Sequence, residues 1–123
     1  MKVIAAINHI DAVKPNAYGQ EVKIRWLSQL DGIIKKEIID THEGGDEINF
    51  SEYSSESLMK EMLVPSPYDD IYIKWLEAQI DYANGEYGRY NNSITMYNTA
   101  YLAFAKAYNR EHKSVGNPKY TNW

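Results

Sequence analysis

Apolar residues recur along the first third of the chain with the three-and-four spacing of amphipathic helices. A short first helix is predicted on Val3, Ile4, Ile7 and Ile10. It ends before Pro15, because the residue that precedes a proline disfavours the helical conformation. After a turn at 16–19, a second helix is predicted from about Gln20 to Thr41, and the glycines at 44–45 stop it. Its inward positions are Val22, Trp26, Leu27, Leu30, Ile33, Ile34 and Ile38. Its outward positions are Lys23, Arg25, Lys35, Lys36 and Asp40.

Two tyrosine-rich helices are predicted between Pro67 and His112. The third helix has Ser66 as its N-cap and Pro67 at its first helical position. Its apolar series is Ile71, Tyr72, Trp75, Leu76, Ile80, Ala83 and Tyr87. The apolar series of the fourth helix has the spacing of a seam into which a partner helix packs: Tyr90, Ile94, Tyr97, Tyr101, Phe104 and Tyr108. Between them, residues 84–88 are either a connector or the weak middle of one long helix. Asn91 and Asn92 favour the connector, because asparagine can cap a new helix.

The segment 46–64 lacks a helical period. Ile48, Phe50 and Tyr53 alternate with polar residues, which predicts a short strand or an extended arm at 46–53. Residues 54–63 fit a helical turn or two, or a loop. From Lys113 onward the apolar pattern stops, and glycine, asparagine and proline are typical of a flexible tail. The sequence therefore predicts an all-α fold, a bundle of about four helices in a single domain at 1–112 with a flexible tail at 113–123.

Composition limits the class of protein. The 123 residues suffice for one domain, and 44% apolar and 24% charged residues are ordinary globular values. The chain has no cysteine, which excludes disulfides, thiolate catalysis and cysteine-ligated metal. No apolar run approaches the ~20 residues that span a bilayer, and the first ten residues make a poor signal peptide. We expect a soluble intracellular protein without a membrane partner.

Charge is distributed unevenly along the chain. Residues 1–42 carry six Lys and Arg against five Asp and Glu, residues 43–81 carry two against ten, and residues 82–123 carry five against two. The acidic middle argues against wrapping nucleic acid, because phosphate binding needs a basic stripe. Opposite signs on different parts of one chain favour head-to-tail contact between identical copies. The alternative is that residues 43–81 simply contain solvated acidic loops.

Residues with catalytic or metal-binding chemistry are few. His9, His42 and His112 are far apart in the sequence and lack metal-ligand spacing. Asp70, Glu77 and Asp81 share one face of the third helix, and they could bind a divalent cation or act as an acid–base pair. A lysine at position 74 on the same face favours an ordinary solvated surface instead. Phosphate-binding loops and nucleophile elbows are absent from the sequence. We expect no catalytic residue, cofactor or metal, and hence no enzyme.

Tyrosine is the residue that points to a protein partner. Nine of the eleven tyrosines lie at or beyond position 68. About two thirds of the rings on the last two helices are expected in the core, because an aromatic seam at helical spacing is usually core. Buried phenol hydroxyls need partners, so the remaining rings are expected to face another subunit. The candidate interface residues are Tyr97, Tyr101, Tyr108, Tyr120 and Trp123.

Several segments resemble a family of small proteins from tailed phages and prophages of Gram-positive bacteria, the head–tail connectors or adaptors. The resemblance covers about residues 2–112. It is carried by KPNAY at 14–18, WLSQLDG at 26–32, THEG at 41–44, LVPSPYDD at 63–70, WLEAQIDYANGEY at 75–87 and YNNS at 90–93.

The resemblance implies a mainly helical subunit without catalytic residues. About a dozen copies would form a homo-oligomeric ring beneath the portal protein, at the head–tail junction of the virion. The ring would extend the channel through which DNA passes without being specifically bound. Other partners would be the neighbouring head–tail joining proteins, and assembly would take place in the host cytoplasm. A terminal segment commonly docks on the portal, which makes Tyr120 and Trp123 candidates. The alternatives are another small phage morphogenesis or host-interaction protein and, third, a carboxylate-dependent metal-binding enzyme.

Overall fold

The computed structural model describes residues 1–115, and it is all-helical over that range, as predicted. Helix α1 covers Val3–Val13, α2 covers Gln20–Glu37, α3 covers Ile71–Ala83 and α4 covers Tyr87–Glu111. Three short 3-10 helices lie between α2 and α3, at Ile39–Thr41, Gly45–Glu47 and Ser55–Ser57. None of the helices in this range is both long and apolar enough to cross a membrane.

Helix α3 is the centre of the bundle, since α1, α2 and α4 all pack against it. Most of its side chains are buried, including Tyr72, Leu76 and Ile80, which are fully inaccessible to solvent. Burying one large apolar side chain contributes about 1.5–3 kcal/mol, so α3 supplies a large share of the stabilising contacts. The three-residue connection to α4 contains Gly85, whose φ of 73° is the left-handed conformation that glycine adopts without strain. The predicted connector is thus confirmed.

The observed helix ends differ from the predicted ones. Helix α2 ends at Glu37 rather than Thr41, and a 3-10 helix continues the chain. Helix α4 begins before the asparagines that were predicted to cap it. Helix α3 begins at Ile71 rather than Pro67. A turn precedes it, in which the Tyr68 amide donates to the Pro65 carbonyl at 2.9 Å. This turn places the Tyr68 ring against Phe104, with the ring centres 6.1 Å apart.

The two faces of α2 also differ from the prediction at single positions. Lys23, expected outside, is buried because its Nζ donates to Asp11 Oδ1 at 2.6 Å and to the Tyr18 carbonyl at 2.7 Å. These acceptors lie on α1 and on the turn after it, so they cover the lysine side chain. Ile33, expected inside, is 36% exposed, and Ile24 is buried in the core instead.

The strand that was one alternative for 46–53 does not form. A 3-10 helix covers Gly45–Glu47, and residues 49–54 have neither helical nor strand structure. This segment packs along α2 rather than projecting as an arm. The Tyr53 amide donates to Ser28 Oγ at 3.0 Å, and the Phe50 ring lies against Gly32. Phe50 and Tyr53 also contact each other edge to face, with ring centres 5.4 Å apart.

Candidate protein-interaction surface

The inner face of α4 carries the predicted aromatic seam, and most of it is buried within this one chain. Tyr97 is 7% exposed, and its ring packs on Trp75 with a centre-to-centre distance of 4.9 Å. Burial, reinforced by the negative charge of Glu37, raises the pKa of the Tyr97 phenol to about 12. Tyr101 is half-buried and donates from its hydroxyl to Glu37 Oε1 at 2.7 Å. Tyr101 therefore keeps more surface than Tyr97 for a second chain to cover.

Tyr108 is 8% exposed and lies between two histidines that are distant in the sequence. Its ring stacks on His112 at 3.8 Å and meets the edge of His42 at 4.8 Å. His42 is itself buried, and its Nδ1 and Nε2 lie 2.6 Å from the Ile38 carbonyl and from Asn109 Oδ1, respectively. The cluster thus attaches the end of α4 to the chain after α2. Tyr108, like Tyr97, leaves little surface for a second chain.

The other two candidate interface residues, Tyr120 and Trp123, lie outside the described residues. Two further tyrosines, which the sequence analysis did not select, are exposed at the turn between α3 and α4. Tyr82 is 58% exposed and Tyr87 is 61% exposed, and their rings contact each other at 5.8 Å. Tyr87 was placed on the inner face by its spacing, but the helix break before it changes the direction of its side chain. Among the tyrosines at positions 1–115, the two with the most exposed side chains therefore lie at this corner.

The outer face of α4 is exposed and lacks charge over a long stretch. From Tyr90 to Ala105 the helix contains no charged residue. We define the α4 strip as the exposed outward residues Thr95, Met96, Thr99, Leu102 and Ala103. Met96 is 53% exposed and Leu102 is 56% exposed.

The two threonines make the α4 strip more apolar than its composition suggests. Thr95 Oγ1 donates to the Asn91 carbonyl at 2.8 Å, and Thr99 Oγ1 donates to the Thr95 carbonyl at 3.1 Å. Because these hydroxyls bond to their own helix, the threonines can be covered without leaving a donor unpaired. The charge-free stretch in the sequence was the signal that could have revealed this face.

A groove lies between α2 and residues 50–55. It has a volume of about 570 Å³. Ile24, Gly32 and Phe50 supply apolar surface, while Glu21 and Glu52 supply carboxylates at its edges. We refer to it as the α2 groove. It was not anticipated, because its second wall is the segment whose conformation was uncertain from the sequence.

The three carboxylates considered for metal binding or acid–base chemistry are engaged separately. Asp81 is buried, and it pairs through Oδ1 with Lys14 Nζ at 2.7 Å. Its Oδ2 accepts a hydrogen bond from Ser93 Oγ at 2.9 Å. Asp70 and Glu77 lie 3.9 and 3.8 Å from the Nζ of the lysine between them, as expected for a solvated face. Over the described range, no three His, Asp or Glu side chains are grouped so that they could hold a metal ion.

A different carboxylate, Asp31 on α2, is the centre of a buried polar network. It is fully inaccessible to solvent. Tyr53 and Tyr72 donate their hydroxyls to its two oxygens at 2.5 and 2.6 Å, and the Leu63 amide donates at 3.0 Å. Burial raises the pKa of Asp31 above its ordinary value of 3.8, although all three hydrogen bonds act to lower it. The network joins α2, α3 and the intervening segment, which indicates a structural role.

Comparisons of the chain with protein-family models, with curated proteins and with solved structures give no significant match.

Proposed function

We propose that this protein is a structural subunit of a tailed-phage virion, a head–tail connector that forms a ring on the portal protein and extends the DNA channel. The segments that resemble such connectors are spread over residues 2–112. The all-helical fold agrees with the subunit that the resemblance implies. The proposal therefore assigns the chain a role in assembly at the head–tail junction rather than in catalysis.

The observation that carries this proposal is the α4 strip. Helix α4 packs on α3 through its inner face, yet its outer face is free of charge over four turns and exposes Met96 and Leu102. Protein interfaces are depleted of charged residues at their centre and enriched in methionine. A face of this kind fits a contact with another protein chain better than a fully solvated surface.

The distribution of charge supports a protein partner rather than a tightly bound nucleic acid. Five carboxylates between positions 43 and 56 make no ion pair within the described residues: Glu43, Asp46, Glu47, Glu52 and Glu56. Unpaired carboxylates repel phosphate, which suits a channel that DNA must leave without being held. They also offer attraction to basic surfaces of neighbouring chains.

Binding to the portal tests this proposal directly. The purified chain is mixed with the portal protein of the same phage at several salt concentrations, and sedimentation velocity and negative-stain electron microscopy follow complex formation. We expect co-sedimentation and a ring of added density on one end of the portal. A portal from an unrelated phage serves as the control. Failure to bind the cognate portal at every salt concentration would contradict the proposed function and favour another small phage protein.

Two variants refine this experiment. Ala103→Arg places a charge in the α4 strip, whereas Ala12→Arg places the same charge on an exposed position of α1. We expect only Ala103→Arg to reduce ring formation. Removing residues 116–123, which include Tyr120 and Trp123, should weaken portal binding. Residues 113–115 must be retained, because the Lys113 carbonyl accepts a hydrogen bond from the Glu43 amide at 2.8 Å.

A further inference from the structure

We propose that neighbouring copies associate head to tail, with the α4 strip of one copy docked in the α2 groove of the next. This inference rests on the proposed self-assembly and specifies its two surfaces. The surfaces belong to different helices, and both of those helices pack against α3 on their other sides. One subunit can therefore use both surfaces at the same time, and such a contact leads either to a closed ring or to a filament.

The shapes of the two surfaces are compatible. The middle of the strip consists of Thr99 and Ala103, which are small and let the helix backbone approach a partner closely, with Met96 and Leu102 projecting beside them. Part of the apolar lining of the groove is formed by Gly32 and by the Phe50 ring that packs on it. Apolar side chains of the strip would cover Phe50, which is only partly buried in the single chain.

Charge determines which surface the strip can meet. Lys106 and Arg110 continue the strip toward the end of α4, and neither makes an ion pair within the described part of the chain. The edges of the groove carry Glu21 and Glu52, which are also unpaired within residues 1–115, beside a single cation, Arg25. Docking of strip on groove brings opposite charges together.

A symmetric contact between two α4 helices is disfavoured by the same charges. An antiparallel arrangement would bring Lys106 of one copy toward Arg89 of the other, whose neighbouring carboxylate, Glu86, is already paired with it at 3.6 Å. A parallel arrangement would place Lys106 beside Lys106. The parallel arrangement juxtaposes like charges, and the antiparallel one offers Lys106 only a carboxylate that is already paired. The acidic groove is therefore the better partner for the strip.

Complementation between two variants tests the head-to-tail contact. Ala103→Arg blocks the strip, and Gln29→Arg blocks the groove, since Gln29 is an exposed residue that lines it. Each variant alone should self-associate at least about tenfold more weakly than the wild type, which is the effect of losing a central interface contact. Mixed in equal amounts, they should form a heterodimer and nothing larger, because only one strip and one groove remain intact. Sedimentation velocity and native mass spectrometry measure the species.

Several controls separate the possible outcomes. Ala12→Arg should assemble like the wild type. Circular dichroism should show that Ala12→Arg, Ala103→Arg and Gln29→Arg are equally folded. Lys106→Glu and Glu52→Lys should each weaken assembly and should restore it when combined in one chain. Wild-type assembly by Gln29→Arg would overturn this inference and leave the proposed function intact. A wild-type chain that stays monomeric both alone and with its portal would overturn both.

The absence of cysteine allows an independent check by cross-linking. A chain with Ala103→Cys and Gln29→Cys should form a ladder of disulfide-linked oligomers under mild oxidation. Each single-cysteine variant should form at most a dimer. If the double variant forms no ladder under conditions where the wild type assembles, the proposed contact is also overturned.

Discussion

Replacing Asp31 by leucine removes the acceptor at the centre of the buried network. The hydroxyls of Tyr53 and Tyr72 and the amide of Leu63 would each lose the oxygen to which they now donate. A buried donor left without a partner costs about 1–3 kcal/mol. The leucine side chain recovers part of this through its own burial, so we expect a net loss of about 3–5 kcal/mol. That is a large fraction of the free energy of unfolding of such domains, which is about 5–15 kcal/mol.

Milder substitutions should cost less, in a definite order. Tyr53→Phe removes one donor and leaves two, so it should cost about 1.5–3 kcal/mol, the usual value for a hydrogen bond to a charged group. Asp31→Asn keeps one carbonyl acceptor, so its loss of stability should be smaller than that of Asp31→Leu. Adding Tyr53→Phe to Asp31→Leu should recover stability, because one orphaned hydroxyl is then absent.

The network also predicts a pH dependence with a definite sign. Burial raises the pKa of Asp31 in the folded state above its ordinary value of 3.8. The carboxyl group of Asp31 therefore binds its proton more tightly in the folded protein than in the unfolded chain. The resulting stabilisation is complete below pH 3.8 and is lost as the pH rises through the folded-state pKa. Relative to Asp31→Asn, the wild type should thus gain stability as the pH is lowered through this range.

Urea denaturation provides the assay for these variants. Far-ultraviolet circular dichroism and the fluorescence of Trp26 and Trp75 follow unfolding. The slope of the unfolding free energy against urea concentration should be equal for all variants if the folded state is unchanged. A loss of less than about 1 kcal/mol for Asp31→Leu would show that Asp31 is not the acceptor on which this network depends, because three orphaned donors cannot cost so little. A gain in stability from Tyr53→Phe alone would lead to the same conclusion.

Three further predictions concern other parts of the fold. Lys14→Met should cost about 3 kcal/mol in urea denaturation, the low end for a buried ion pair, because it leaves the carboxylate of Asp81 buried without a cation that is itself 20% exposed, and adding Asp81→Leu should recover part of the loss. Gly45→Ala should lower the melting temperature strongly, because its Cβ would collide with the backbone of Ile39, whereas Gly88→Ala should be neutral or stabilising because its Cβ would meet open space. The raised pKa of Tyr97 means that its neutral phenol stabilises the fold fully below pH 10.0 and that this contribution is lost as the pH rises through about 12. Tyr97→Phe should remove one phenolate from the late part of an absorbance titration, and full ionisation of the wild type by pH 10 would contradict the prediction.

The local pattern predicted the two tyrosine-rich helices well. The seam from Tyr90 to Tyr108 lies on the inner face of α4, because large rings at this spacing fall on one side of a helix. Tyr97 packs on α3, whereas Phe104 and Tyr108 pack on Tyr68 and His42, which precede α3 in the chain. The connector was predictable because Asn84 and Gly85 weaken the helix at one point. The predicted helix ends were less accurate. The turn at 65–68, for example, depends on the contact between Tyr68 and Phe104, which are 36 positions apart.

The candidate surface was only partly accessible from the sequence. Tyrosine content indicated a partner, yet Tyr97 and Tyr108 lie inside the chain, while Tyr82 and Tyr87 are exposed. Periodicity identifies the inner face of one helix but not how much of each ring the other elements cover. The interface roles of Tyr97, Tyr101 and Tyr108 stay predictions.

The helical class, the seam of α4 and the lack of charge from Tyr90 to Ala105 all follow from the order of residues along the chain, because each depends on residues close together in one helix. The burial of Lys23, Asp31 and Asp81, in contrast, depends on the assembled bundle. Burying a charge is unfavourable unless partners surround it. Those partners come from segments that meet only when the bundle has formed, so no local pattern along the chain could reveal them.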